Sequence, residues 1–153
     1  MSAVLRPAPS LEPMSEADLR AVIEIEEELY EFPWTLGNFR DSLRAGYDCW
    51  AYRDGAQLIG YAVLVLAAGE AHLLNLSVAA RAQRRGHGRS LLAHLVAIAR
   101  ENEAKVLFLE VRPTNEVGRR LYSGNGFKQI GVRRGYYPAR RGREDALVLA
   151  LDL

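Results

Sequence analysis

Gln83-Arg84-Arg85-Gly86-His87-Gly88-Arg89 lies between a run with strand character, Ala71 to Val78, and a run with helical spacing, Leu91, Leu92, Leu95, Val96 and Ala99. Glycines in such a loop let backbone approach a ligand closely. The helix start that follows offers unpaired N–H groups and the positive end of the helix dipole, so an anion fits there. Three arginines add longer-range attraction for phosphate. Two familiar phosphate loops do not match. A Walker A loop needs Gly-Lys-Ser/Thr, which is absent. A dinucleotide fingerprint needs a third glycine where Leu91 stands, and its first should follow the strand at once rather than eight residues after Val78. Glu110, at the end of the next strand, does mimic a ribose-binding carboxylate, which keeps a dinucleotide oxidoreductase as a distant alternative.

The elements on either side place this loop in a mixed sheet. Upstream, Ser15-Glu16-Ala17-Asp18 has the form of a capping box, with the helical stripe Leu19, Val22, Ile23 and Leu29 behind it and Tyr30 ending it. Phe32-Pro33-Trp34 breaks that helix, and Thr35 caps a second one with Leu36, Phe39 and Leu43 turned inward. Trp50 to Arg53 and Gln57 to Leu66 read as a hairpin across Asp54-Gly55. Downstream come a strand at Lys105 to Val111, a helix at Asn115 to Ser123, and closing strands at Phe127 to Val132 and Ala146 to Leu151. The order ααβββαβαββ predicts an α/β (α+β) fold, a single domain over residues 14–153. Its central sheet is mixed and mostly antiparallel, with helices on both faces. Residues 1–13 read as a flexible, proline-punctuated lead-in.

Composition narrows the class. The chain has 153 residues, 49% hydrophobic and 25% charged, with one cysteine. Its longest apolar run, Tyr61 to Ala68, is far short of the ~20 residues a membrane-spanning helix needs. The first residues lack the apolar core of a signal peptide, and Cys49 has no partner for an internal disulfide, so a cytoplasmic protein without a membrane partner is expected. His72, His87 and His94 lack the paired cysteine or carboxylate spacing of a metal site, so no metal is expected. A net charge of +1 conceals a division. Residues 1–75 carry 5 Lys+Arg against 12 Asp+Glu, and residues 76–153 carry 15 against 7. The basic half suits phosphates, and the acidic half suits a cationic partner.

A second constellation follows the loop: Leu109-Glu110-Val111-Arg112, Asn115, Leu121-Tyr122 and Gly126-Phe127. A carboxylate at the end of a buried strand is one whose pKa burial raises, which suits a general base. Tyr122, on the helix that follows, can turn its phenol toward the same cleft. A base and a weak acid flanking one cleft fit a transfer in which an amine loses a proton and a thiolate gains one. The blander alternatives are a Glu110–Arg112 ion pair and a core tyrosine.

Gln83-x-x-Gly86-x-Gly88 after a strand, the Asn115 helix and Leu121-Tyr122-x-x-x-Gly126-Phe127 resemble the GCN5-related N-acetyltransferase (GNAT) family from about residue 15 to the end. Phe32-Pro33-Trp34, the Asn75-to-Val78 strand, Leu109-Glu110-Val111-Arg112, Arg133-Arg134-Gly135-Tyr136-Tyr137-Pro138 and Gly142-Arg143-Glu144-Asp145-Ala146 narrow this further. They are similar to the branch that acetylates the N-terminal alanine of a small-subunit ribosomal protein. The resemblance implies acetyl-CoA as cosubstrate, held in a V-shaped gap between the fourth and fifth family strands. Backbone groups of Leu76, Ser77 and Val78 would bond its acetyl-pantetheine arm, with a strand-bulge N–H near Val78 polarising the carbonyl. The N–H groups of Arg84, Arg85, Gly86, His87, Gly88 and Arg89 would hold the pyrophosphate, and Asn115 would touch the pantetheine. Glu110 matches the general base and Tyr122 the general acid. Phe32, Trp34, Tyr136 and Tyr137 would line the substrate channel.

The implied partner is the basic N-terminal tail of a ribosomal protein, drawn by Glu24, Glu27, Glu28 and Glu31. Acetylation of a lysine or a small amine is the alternative within the class. A non-enzymatic ribosome- or RNA-binding module is the alternative outside it. Direct nucleic-acid binding is not expected, because the basic half has little aromatic interleaving beyond Tyr136 and Tyr137. Gly118, inside a short helix at a cost of ~1 kcal/mol relative to alanine, has no evident reason in the sequence.

Overall fold

Alternating apolar residues build the strands and 3.6-spaced ones the helices, and the two patterns meet in one layered unit. The computed structural model describes residues 7–153. In chain order the elements are β1 (Ser10–Pro13), α1 (Leu19–Leu29, entered through a 3₁₀ turn at Glu16–Asp18), α2 (Leu36–Arg44), β2 (Asp48–Asp54), β3 (Gln57–Ala67) and β4 (Glu70–Val78). They continue with a 3₁₀ turn (Ala80–Ala82), α3 (His87–Glu101), β5 (Val106–Val111), α4 (Glu116–Gly124), β6 (Lys128–Pro138) and β7 (Arg143–Asp152). One sheet runs β1-β2-β3-β4-β5-β7-β6. Every pairing is antiparallel except β4 with β5, the pair joined by the α3 crossover.

Two cores cover the two faces. On one, Leu91, Leu92, Leu95 and Ala99 of α3 pack with Leu64, Leu73, Leu107 and Leu109 of the sheet. On the other, Leu19, Val22 and Ile25 of α1 and Phe39 of α2 close over Cys49, Tyr61 and Val63. Each large side chain buried this way contributes about 1.5–3 kcal/mol, enough to fix both helix layers on the sheet. The expected hairpin turn falls one residue later than read, on Gly55-Ala56 between the paired Asp54 and Gln57, with Gly55 at φ 62°. Among the described residues no helix is long and apolar enough to cross a membrane.

Three expectations need correcting. Ser10–Pro13, placed in a flexible lead-in, pairs with Trp50–Arg53 as an edge strand; four residues are too few for a period-2 signal to register. Residues 1–6 of that lead-in lie outside the described residues. The closing strands are longer than predicted, and β6 carries Tyr136 and Tyr137 within its length. Leu36 faces solvent rather than the core, because α2 buries Phe39 and Ser42 instead.

Candidate active site

The site begins where β4 and β5 part. Their ladder runs from Glu70↔Val106 to Leu73↔Leu109 and stops. Beyond it β4 stays bonded to β3 as far as Gly60↔Val78, and β5 stays bonded to β7 as far as Val111↔Leu147. Each strand thus follows its outer neighbour and a wedge opens between them. The register of β3 with β4 steps from Leu64↔Leu73 to Val63↔Asn75, leaving Leu74 as an extra residue. A bulge bends its strand and sharpens the twist, which turns β4 away from β5 at this point. The bulge expected near Val78 therefore sits at Leu74, where the parting starts. The β5-facing polar groups of the rest of β4 are left for a ligand to pair, as a peptide pairs with a sheet edge. A cleft of about 1050 Å³ opens over this wedge, lined by Leu73 to Leu76 on one side and Leu109 to Arg112 on the other.

Glu110 and Tyr122 both line it. Leu109 and Val111 point into the α3-side core, so strand alternation sends Glu110 to the opposite face. Its side chain is only 8% exposed. One oxygen lies 2.5 Å from Nε2 of His72 and the other 3.5 Å from Nε of Arg133. Burial alone would raise its pKa. The hydrogen bond with His72 and the charges of His72 and Arg133 outweigh burial and hold it below the usual carboxylate value. The elevated base expected from burial is thus corrected: Glu110 is an ionised carboxylate with a histidine behind it. Arg112 is not its partner, since that guanidinium bonds Glu144 Oε1 at 3.1 Å and the carbonyl of Pro138 at 2.8 Å.

Tyr122 belongs to the other face, packed edge-on to Phe127 at 5.4 Å between ring centres. It is 7% exposed. Burial, with smaller contributions from the phenols of Tyr30 and Tyr137, raises its pKa well above the usual tyrosine value, so it stands protonated as a donor. Tyr30, which ended the first helical stripe, also reaches the cleft; its hydroxyl lies 2.6 Å from Ser77 Oγ, and burial pushes it up to about 12.

Phe32, Trp34 and Tyr137 line the cleft as expected. Arg112 gathers two of them, its guanidinium 4.3 Å from the ring centre of Tyr137 and 5.3 Å from that of Phe32. Tyr136 is not brought there. It is 43% exposed and meets Arg133 instead. Of the acidic residues Glu24, Glu27, Glu28 and Glu31, only Glu31 lines this cleft, and it bonds Arg140 from the opposite wall at 2.9 Å.

At the far end of β4 lies the arginine-glycine loop. Arg84 (φ 63°) and Gly86 (φ 81°) take left-handed backbone, and Gly86 caps α3. Among the described residues no loop or cap bond takes up the N–H groups of residues 84–89. This is a cradle of donors at a helix start, and it fits a pyrophosphate. Leu76 lines the cleft, while Ser77 and Val78 are buried beside it. Asn115 lines it too, and its Oδ1 accepts from the Gly118 N–H at 3.0 Å as the cap of α4. A Cβ on residue 118 would fall 2.7 Å from Asn115 Nδ2, which explains why glycine stands there.

Two residues escaped the sequence reading. Glu26, 2% exposed, accepts from the Trp34 N–H at 3.0 Å and the Tyr61 hydroxyl at 2.5 Å, with Asn75 Nδ2 at 3.3 Å. It ties the Phe32-Pro33-Trp34 wall to the sheet. Its spacing four residues after Val22 and seven after Leu19 put it on the buried stripe, which was the available signal. His72 meets Glu110 only through the β4–β5 register, which no local pattern announces. Among the described residues no group of His, Cys, Asp and Glu is placed to hold a metal.

Comparison with known proteins agrees with this geometry. The Acetyltransferase (GNAT) family matches residues 19–127. The [ribosomal protein bS18]-alanine N-acetyltransferase of Escherichia coli strain K12 is 34% identical over 140 residues, 92% of this chain and 95% of that protein. The N-alpha-acetyltransferase RimI of Mycobacterium tuberculosis is 32% identical over 148 residues, 91% of this chain and 89% of that one. The crystal structure of the ribosomal-protein-S18-alanine N-acetyltransferase from Escherichia coli matches with a TM-score of 0.86 at 33% identity, covering 94% of this chain and 93% of that one. Likeness of this extent, in sequence as well as in fold, makes the chain a member of the GNAT family of acetyltransferases.

Proposed function

We propose that the protein transfers an acetyl group from acetyl-CoA to the N-terminal alanine of a small-subunit ribosomal protein with a basic N-terminal tail. The observation that carries this is the parting of β4 and β5 with Glu110 and Tyr122 entering the opening from opposite faces of the sheet. The relatives named above support the choice of substrate. The donor cradle at residues 84–89 fits the coenzyme's pyrophosphate and the unpaired edge of β4 fits its extended arm; the coenzyme supplies the acetyl group as a thioester.

The chain's own groups then act on protons and position. Phe32, Trp34 and Tyr137 hold the first residues of the peptide at the opening. An α-amino group of pKa ~7.7–8.0 is roughly a tenth neutral at pH 7, against ~0.04% for a lysine at ~10.4. A carboxylate of modest basicity therefore suffices for a terminal amine, particularly once bond formation makes the nitrogen acidic. Glu110 takes that proton, Tyr122 gives one to the departing sulfur, and an N–H of β4 beside the bulge polarises the carbonyl oxygen. Incubation with acetyl-CoA and an alanine-initiated basic peptide, followed by mass spectrometry, tests this. One acetyl group on the α-nitrogen is expected. Acetylation confined to lysine side chains, or equal transfer to a peptide with a blocked N-terminus, contradicts it.

A further inference from the structure

We propose that His72 is the outlet through which the proton taken by Glu110 leaves the site. This rests on the reading of Glu110 as the base. Glu110 lines the cleft, and His72 does not. A peptide and the coenzyme filling the cleft would cut Glu110, already 8% exposed, off from water on that side. Its two oxygens face His72 and Arg133. A guanidinium cannot accept a proton, so of these two partners the imidazole is the one able to pass it on. The Tyr137 phenol near Glu110 lies on the cleft side that the substrates would close. The ring is well placed to do so. Nε2 lies 2.5 Å from Glu110 Oε2, Nδ1 has no protein partner among the described residues, and the side chain is 34% exposed.

The charged groups around the ring are Glu110 from β5 and, beyond that carboxylate, Arg133 from β6. Its ladder neighbours are Val65 of β3 and Phe108 of β5. A carboxyl held below its usual value is a poor resting place for a proton, and imidazoles as a class are about two units more basic than carboxylates. His72 touches no reacting atom. It is a positioning residue that orients the carboxylate and drains it.

The proton balance requires such a route. An ammonium substrate loses two protons as the N–C bond forms and the C–S bond breaks. The thiolate takes one from Tyr122, which is restored by one of the two. The other must reach solvent in every turnover. The Nε2–H that bonds the resting carboxylate cannot take it, so the ring relays as its Nδ1–H tautomer: Nε2 accepts from protonated Glu110 as Nδ1 releases its own proton to water. Rotation of the partly exposed ring, with solvent exchange, resets it.

The test compares wild type, His72→Gln, His72→Ala and Glu110→Gln with acetyl-CoA and an alanine-initiated basic peptide. Glutamine keeps a hydrogen-bond donor for Glu110 but cannot relay a proton. At pH 6.5–7, kcat of His72→Gln is expected to fall about tenfold, with acetyl-CoA Kd within about twofold as proof of folding. The deficit should shrink toward pH 9, where the amine arrives neutral. The same deficit in His72→Ala should recover severalfold with imidazole in the buffer. Wild-type kcat in His72→Gln, or a deficit constant with pH and indifferent to imidazole, overturns the proposal. Turnover of Glu110→Gln at the wild-type rate would instead overturn the base reading beneath it; a crippled Glu110→Gln beside an unimpaired His72→Gln removes the outlet alone.

Discussion

In the proposed mechanism a carboxylate and a phenol divide the proton work, and their surroundings push them apart. His72 and Arg133 keep Glu110 ionised, and burial keeps Tyr122 protonated. Glu110→Gln is expected to lower kcat by ~10²–10³ and Tyr122→Phe by a similar factor, with acetyl-CoA affinity unchanged in both by calorimetry. Because the Glu110 value is depressed, the carboxylate stays charged down through its ordinary range. The acid limb of wild-type kcat/KM should therefore track the α-amine near pH ~7.7–8.0, and a limb near pH 4–5 would contradict the shift. The same sign governs stability: Glu110 contributes at neutral pH and loses that contribution as pH falls through its lowered folded value. Glu26 is a different kind of buried acid, a hub rather than a base. Glu26→Ala leaves the Tyr61 hydroxyl, the Trp34 N–H and the Asn75 amide without their acceptor. A loss of ~2–4 kcal/mol follows, of order 10 °C in Tm, with Glu26→Gln milder. An unchanged melt of the alanine variant would show the hub to be idle.

Elements were legible where the signal is local. The strands after β1, the crossover helix α3 and the loop before it follow from alternation, stripe spacing and glycine placement. Glu110 and Tyr122 follow from their places on strand and helix as residues that reach one cleft, and Asn115 from the family resemblance. What local pattern did not supply is register. The bulge at Leu74 shifts by one residue a strand whose composition is unremarkable, and the His72–Glu110 contact exists only because β4 and β5 pair as they do. Tyr136 and Tyr137 are neighbours in a stretch of β6 whose register with β7 is irregular; their rings meet edge-on at 4.9 Å, and of the two only Tyr137 lines the cleft. Gly118 shows the converse, a residue without a reason until its helix is capped. On propensity alone Gly118→Ala should stabilise α4 by ~1 kcal/mol. The contact with Asn115 reverses that sign, and a lower Tm with weaker acetyl-CoA binding is expected. A higher Tm would mean that the cap is dispensable.

Across the whole molecule the two charge halves differ in arrangement. Arginines at 84, 85 and 89 flank the donor cradle proposed for the pyrophosphate, whereas the cleft mouth is mixed: Glu31 bonds Arg140, and Glu144 bonds Arg112. Raising salt from 50 to 300 mM should therefore weaken acetyl-CoA binding several-fold, while kcat/KM for a basic peptide at saturating coenzyme changes less than about threefold. A steep salt loss for the peptide would restore a steering role to the outer acidic face of α1. In the proposed reading both substrates converge on the space between β4 and β5. A crystal structure with the coenzyme covalently joined to an alanine-initiated peptide probes that space. The joining carbonyl should lie against β4 beside Leu74, with Glu110 on the nitrogen side and Tyr122 on the sulfur side. Strands zipped together past Leu73 and Leu109, or the analogue seated elsewhere, would contradict this arrangement.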